Sequence, residues 1–334
     1  MSTLAFPEWQ TLGSASSLNL RWQQQLQPFW QQMRSGVLTS SDGLRLSYYF
    51  HRTPGAQHAV LISAGRMEMA VKYSELCFEL VSAGYSVFIL DHRGQGLSQR
   101  QLSNRHKGYV TDFSSYQQDL AQFVQQIMLP TGHSQHLALA HSMGSAILAG
   151  YLQQQPHPFQ AVIMASPMLG IYTGLVPASI AEPVALAYAA LNRLFSRDSW
   201  YFPGQQNYQE KVFDNNPLTS CAERYCWLLR LYQHYPDAQL GGVTSHWVSA
   251  AIKAMRRLQQ DAAKWHTPVL LLQAAADKVV SNFAQQSWYQ QLPQALYRQK
   301  VALPAAKHEI FMESDQIRQQ AFIAINQFLR QLPA

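Results

Sequence analysis

Short apolar runs alternate along the 334-residue chain with longer segments whose apolar residues recur every three or four positions. Leu44 to His51, after the turn Ser41-Asp42-Gly43, alternates with a period of two, the pattern of a half-buried strand. Ala59 to Ser63, Ser86 to Leu90, His136 to Ala140 and Ala161 to Ala165 are continuous apolar runs of strand length, as expected of strands buried on both faces. Tyr73 to Ala83, Phe113 to Met128 and Met143 to Leu152 carry helical spacing between them. Strand and helix in turn predict a mostly parallel sheet with helices on both faces, an α/β fold. From 168 to 265 the rhythm stops, and the segment reads as helical and greasy, with Leu175, Val176, Ile180, Phe195, Trp200, Tyr201 and Phe202. It resumes with a strand at Pro268 to Gln273, a helix at Ser281 to Gln291, a strand at Tyr297 to Leu303 and a closing helix at Ile317 to Leu332. The expected organisation is a helical extension over 1–35, an α/β core over 36–167 and 266–334, and a helical lid inserted at 168–265. In the extension Trp22, Leu26, Phe29, Trp30 and Met33 fall at near-helical spacing, predicting a helix packed on the body.

Composition narrows the picture. With 47% hydrophobic and 13% charged residues the chain can bury one large core and is not a disordered protein. The net charge of +6 reflects few acids as much as many bases. That balance suits contact with anionic lipid but is too diffuse to suggest a nucleic-acid partner. No apolar run approaches the length of a bilayer span, and no basic start leads into an apolar stretch at the N-terminus. Three cysteines, Cys77, Cys221 and Cys226, make no disulfide framework. The expected location is cytoplasmic, with peripheral contact on the inner face of the membrane as a further expectation.

The chemistry centres on Ala140-His141-Ser142-Met143-Gly144, a small-x-Ser-x-Gly turn between a strand and a helix. Small residues suit a sharp strand-to-helix turn that presents a serine hydroxyl, and the helix N-terminus adds positive potential beside it. A serine needs a base, and the base needs an orienting carboxylate. Asp277 follows the strand ending at Gln273, and His308 follows the strand ending at Leu303. The order Ser142, Asp277, His308 predicts a nucleophile, an orienting acid and a general base. Glu309 and Asp315 are competing acids, but they share the histidine's own segment. Met143 N–H and Arg66 N–H, the latter in Ala64-Gly65-Arg66 after a strand, are the expected oxyanion donors. Asp91-His92-Arg93-Gly94-Gln95-Gly96-Leu97-Ser98 is a tight loop beside them; it lacks the nucleotide-binding glycine spacing and reads as structural. His133-x-x-His136 has no accompanying cysteine or carboxylate cluster, so no metal is expected.

With the pieces GRMEMAVKY, DHRGQGLS, AHSMG, AADKVV and KHEIF in place, the chain resembles the serine α/β-hydrolases of the monoacylglycerol-lipase-like branch. It departs from the family's pattern at Ala140, where the elbow has glycine, and at Ala64, where many members have histidine. Asn216-Pro217-Leu218-Thr219, Gly241 to Val248 and Gly65-Arg66-Met67-Glu68 look like the bacterial lysophospholipases of the L-two type. The resemblance implies the α/β-hydrolase fold and hydrolysis of a lysophospholipid's acyl ester through an acyl-enzyme on Ser142. It also implies acyl transfer as a further activity and no cofactor. Alternatives are a monoacylglycerol lipase, a short-ester or amide hydrolase, and a non-catalytic binding module on this scaffold. Lys253, Arg256 and Arg257, which share a face of an expected helix, and Arg66 are candidates to meet the head group or an anionic membrane.

Overall fold

The computed structural model of the protein describes residues 6–333. Eight strands form one sheet: β1 (Arg34–Thr39), β2 (Arg45–His51), β3 (His58–Ser63), β4 (Ser86–Leu90), β5 (Gln135–His141), β6 (Ala161–Ala165), β7 (Val269–Ala274) and β8 (Arg298–Leu303). Their spatial order is β1-β2-β4-β3-β5-β6-β7-β8. The strands from β3 to β8 are parallel, whereas β2 runs antiparallel to both β1 and β4. The α-helices are α1 (Leu18–Arg21), α2 (Gln27–Gln32), α3 (Ser74–Ser82), α4 (Ser114–Phe123), α5 (Met143–Gln154), α6 (Ala178–Phe195), α7 (Ala222–His234), α8 (Ser245–Gln260), α9 (Asn282–Gln291) and α10 (Asp315–Arg330).

The period of two along each central strand divides the core. Val60, Ile62, Leu137 and Leu139 face one layer, with Phe29, Trp30, Leu76 and Phe328 from the helices. Ala59, Leu61, Ala138 and Ala140 face the other, with Leu120, Ile147, Ile252 and Trp288. Strands so placed are buried on both sides, which is why they read as unbroken apolar runs. The register of β3 against β5 sets Ser63 opposite Ala140, so the loops leaving both strands emerge side by side.

Two features differ from the sequence reading. Residues 34–39, a polar start with a glycine, form an edge strand paired to β2. The N-terminal helical segment and the helix before β5 each contain a π-helical turn, at Trp22–Leu26 and Val124–Met128. The N-terminal segment also reaches α10, where Trp9 N–H donates to Asn326 Oδ1 and Asn326 Nδ2 donates to Trp9 O, both at 2.9 Å.

Residues between β6 and β7 supply α6, α7 and α8. α7 is fastened to the core by a buried ionic junction. Arg224 lies 2.9 Å from Glu75 of α3 and 2.8 Å from Asp315 of α10. Arg21 and Arg318 converge on the same Glu75, at 2.9 and 3.4 Å, and Arg318 also pairs with Glu79 at 2.6 Å.

Candidate active site

Between the end of β5 and the start of α5, Ser142 sits at φ 51° and ψ −118°. A non-glycine residue held there is strained, and the strain is fixed by neighbouring backbone. Ser142 N–H donates to Ala165 O (3.0 Å), while Ser142 O accepts from Ser145 N–H (3.0 Å) and Met168 N–H (3.1 Å). The turn is tight enough that a Cβ on Gly144 would lie 2.1 Å from Ser63 O and 2.5 Å from Ala64 O. Only glycine lets α5 approach the end of β3 so closely. Met143 opens the first turn of α5, where backbone N–H groups have no intrahelical acceptor.

His308 and Asp277 come to Ser142 from the loops after β8 and β7. Ser142 Oγ and His308 Nε2 are 2.8 Å apart, and His308 Nδ1 and Asp277 Oδ2 are 2.7 Å apart. With Nδ1 carrying the proton, the imidazole donates to the carboxylate and accepts from the serine hydroxyl. Asp277 is aimed by its second oxygen, which accepts the N–H groups of Val279 (2.7 Å) and Val280 (3.1 Å). All three residues are buried. Glu309 and Asp315 are engaged elsewhere, with Lys72 and Arg224.

The loop after β3 carries Gly65 and Arg66 and is held from several sides. Gly65 N–H donates to Glu68 Oε2 at 2.6 Å, and Gln95 Nε2 donates to Gly65 O at 2.7 Å. Because the Gly65–Arg66 peptide is planar and trans, Gln95 on its carbonyl turns the Arg66 N–H the opposite way. Met67 has φ 62°, and its carbonyl accepts from the Tyr232 hydroxyl. Asp91 accepts Ala70 N–H (2.7 Å) and Leu97 N–H (2.8 Å), joining this loop to the glycine-rich one. Burial dominates at Asp91 and pushes its carboxyl up to about 6. Arg93 binds Asp119 (2.6 Å) and Asp42 (2.7 Å).

A buried charge network beneath the site was not legible as such. Glu68 Oε1 lies 2.8 Å from both His141 Nδ1 and Lys72 Nζ, and Lys72 Nζ lies 2.5 Å from Glu309 Oε2. His141 Nε2 is 3.2 Å from the His308 carbonyl oxygen. Residues flanking Ser142 and His308 are thereby linked to the loop bearing Arg66. Burial opposes the charge on His141, but the Glu309 and Glu68 carboxylates outweigh it and hold the imidazole above its ordinary value. Glu68, His141 and Glu309 present donor atoms close enough for a metal ion, but the Lys72 ammonium already bonds both carboxylates. The readable signals were the Glu68–Lys72 spacing of four and the acid directly after His308. His133, the other metal candidate, is taken up by Thr131 and Ser86, each at 2.8 Å.

The basic candidates separate. Lys253, Arg256 and Arg257 lie on the exposed face of α8, where Arg256 pairs with Glu182 (2.7 Å) and Arg257 approaches Asp261 (3.6 Å). Arg66 alone of the four belongs to a loop of the site.

A strand-ending serine on a strained turn, hydrogen-bonded to a histidine that a carboxylate holds, in this sheet order, defines a serine hydrolase of the α/β-hydrolase fold. Residues 54–315 match the family described as serine aminopeptidase, S33, and the chain belongs to that family. It is 35% identical to Lysophospholipase L2 of Escherichia coli K12, the match covering 91% of this chain and 89% of that protein. It is 31% identical to the Probable lysophospholipase L2 of Haemophilus influenzae, over 91% of this chain and 95% of that one. A soluble variant of monoglyceride lipase from Saccharomyces cerevisiae shares the fold at a TM-score of 0.70 and 20% identity, covering 90% of this chain and 97% of that chain.

Proposed function

We propose that this enzyme cleaves the acyl ester of lysophospholipids, with Ser142 as nucleophile, His308 as general base and then acid, and Asp277 as the orienting carboxylate. The observation that carries the chemistry is the pair of short contacts from His308, 2.8 Å to Ser142 and 2.7 Å to Asp277. Ser142 attacks the ester carbonyl carbon as its proton passes to His308 Nε2, and the tetrahedral oxyanion is met by Met143 N–H and Arg66 N–H. His308 then protonates the departing glycerol oxygen, leaving fatty acid on Ser142. Water attacks that acyl-enzyme with His308 again as base, releasing the acid; a second lipid hydroxyl in place of water gives acyl transfer. The lysophospholipid reading is supported by similarity, over nine-tenths of the chain, to proteins named Lysophospholipase L2. The monoglyceride lipase of Rattus norvegicus, 26% identical over 73% of this chain and 74% of its own, supports the neutral lipid as second reading.

The substrate is delivered from a membrane surface. α6 presents Ile180, Val184, Leu191 and Phe195 to solvent at spacings that place them on one face, and Leu175 beside its start is fully exposed. Arg193 and Arg197 are exposed at its end. An apolar stripe with two arginines at one end suits an anionic bilayer interface. None of the described helices is long and apolar enough to cross a membrane. On this reading the α6 stripe makes the enzyme a peripheral protein of the inner membrane face, with residues 168–265 as the lid over its acyl site.

The decisive assay compares fatty-acid release from lysophosphatidylethanolamine and from a matched monoacylglycerol, with Ser142→Ala alongside. Faster release from the lysophospholipid, lost in the variant, is expected. Preference for the neutral lipid would replace the lysophospholipase reading with that of a monoacylglycerol lipase.

A further inference from the structure

Among the fully buried arginines, positive charge is matched by negative charge. Arg21, Arg224 and Arg318 converge on Glu75, and Arg93 lies between Asp42 and Asp119. Arg66 is different. Its guanidinium donates to Gly241 O at 3.1 Å and to Met67 Sδ at 2.9 Å, and its Cζ stands 5.8 Å from the centre of the Trp247 ring. None of these partners carries charge, and no carboxylate of the described residues lies within ion-pair distance of it. Desolvation by burial lowers its pKa to about 10. A half-buried cation compensated only by a carbonyl, a thioether and an aromatic face is costly, and an anion arriving there would remove that cost. Protein carboxylates nearby do not compete for it: Glu68, two residues along, is bound by Lys72, His141 and Tyr73.

The place is defined by chain chemistry. Arg66 N–H is the amide assigned to the oxyanion. The number of bonds from that nitrogen to the guanidinium carbon equals the number from the ester carbonyl carbon of a 1-acyl lysophospholipid to its phosphorus. An ester whose oxyanion meets the Arg66 amide therefore carries its phosphate about as far from the reacting carbon as the side chain reaches. The guanidinium fork presents paired N–H donors to phosphate oxygens, a geometry lysine does not reproduce.

We infer that the Arg66 guanidinium is the head-group phosphate subsite, and that it selects a phosphate-bearing lysolipid over the neutral glyceride. The inference rests on the hydrolase reading above and sharpens it, because one residue then serves the oxyanion through its backbone and the head group through its side chain.

The test measures kcat/KM for lysophosphatidylethanolamine and for a monoacylglycerol of the same acyl chain, in the wild type, Arg66→Gln and Arg66→Lys. The quantity read is the ratio of the two substrates, since damage to the loop lowers both together. The ratio is expected to fall at least tenfold in Arg66→Gln, mainly through KM, and to fall less in Arg66→Lys. An equal loss for both lipids, or an unchanged ratio, overturns the inference. A second arm adds glycerophosphoethanolamine or inorganic phosphate to the wild type during monoacylglycerol hydrolysis. Inhibition by the glycerophosphodiester that is weakened in Arg66→Gln supports a head-group subsite. Equal inhibition by inorganic phosphate overturns it in favour of a free-phosphate site. Absence of fatty-acid release from either lipid by the wild type is a separate result: it removes the hydrolase reading itself.

Discussion

In the proposed mechanism Gln95 acts on the reaction without touching the reacting atoms. Its amide holds Gly65 O, and so sets the direction of the Arg66 N–H on the same peptide. Replacing Gln95 by Leu should lower kcat about tenfold with KM changed less than twofold. That loss is smaller than the roughly hundredfold cost of deleting an oxyanion donor outright, because the peptide is loosened and not removed. Steady-state kinetics on either lipid checks it, and Gln95→Glu, which presents an acceptor to the carbonyl, should not rescue the rate. At this scale Ser142, Asp277 and His308 were legible because each follows a strand in an order that chemistry constrains. The Gln95–Gly65 bond and the Lys72–Glu309 contact were not, since each joins loops distant in sequence. Arg66 was legible as a candidate, but its lack of a carboxylate partner is visible only in the structure, where the fully buried arginines each have one.

Among the elements, the central strands were read closely because burial on both faces leaves an uninterrupted apolar signature. β1 was hidden by its edge position: its outer residues face water, so Arg34, Ser35 and Gly36 carry no alternation to detect. The basic cluster on α8 is a different case. Helical spacing correctly groups Lys253, Arg256 and Arg257, but it cannot show that Glu182 from α6 pairs with Arg256 and that Asp261 approaches Arg257. The exposed stripe of α6 is the stronger membrane candidate. Ile180→Asp combined with Val184→Asp should weaken sedimentation with phosphatidylglycerol vesicles at least tenfold. Reversing the three α8 charges should weaken it less. If the order of those effects were reversed, α8 and not α6 would be the contacting face.

For the whole molecule, the junction at Glu75 joins the N-terminal segment, α3, α7 and α10. Burial works against the Glu75 charge, but Arg318, Arg224 and Arg21 outweigh it and lower its carboxyl to about 2 from an ordinary 4.5. A depressed carboxylate pKa contributes stability that is present above about pH 4.5 and lost as pH falls through about 2. Glu75→Gln leaves three buried guanidinium groups short of an acceptor and should cost about 3–5 kcal/mol at neutral pH. Thermal melts should show the gap between wild type and variant narrowing between pH 4.5 and pH 2. A gap that stayed constant would mean the loss is one of packing and not of charge.

The same junction changes what the segment before α7 is required to do. Residues 203–215 are largely exposed and carry no helix or strand, and they are the covalent tie between the α6 side of the insertion and α7. Arg224 clasped by Glu75 and Asp315 seats α7 without help from that tie. Gln205 to Tyr208 pack against Gly241 and Gly242, but the exposed run from Gln209 to Val212 is free to lengthen or change in composition while the catalytic loops stay in register. Relatives should diverge most there in length, and a tag or a foreign peptide inserted there should be carried as a passenger by an active enzyme.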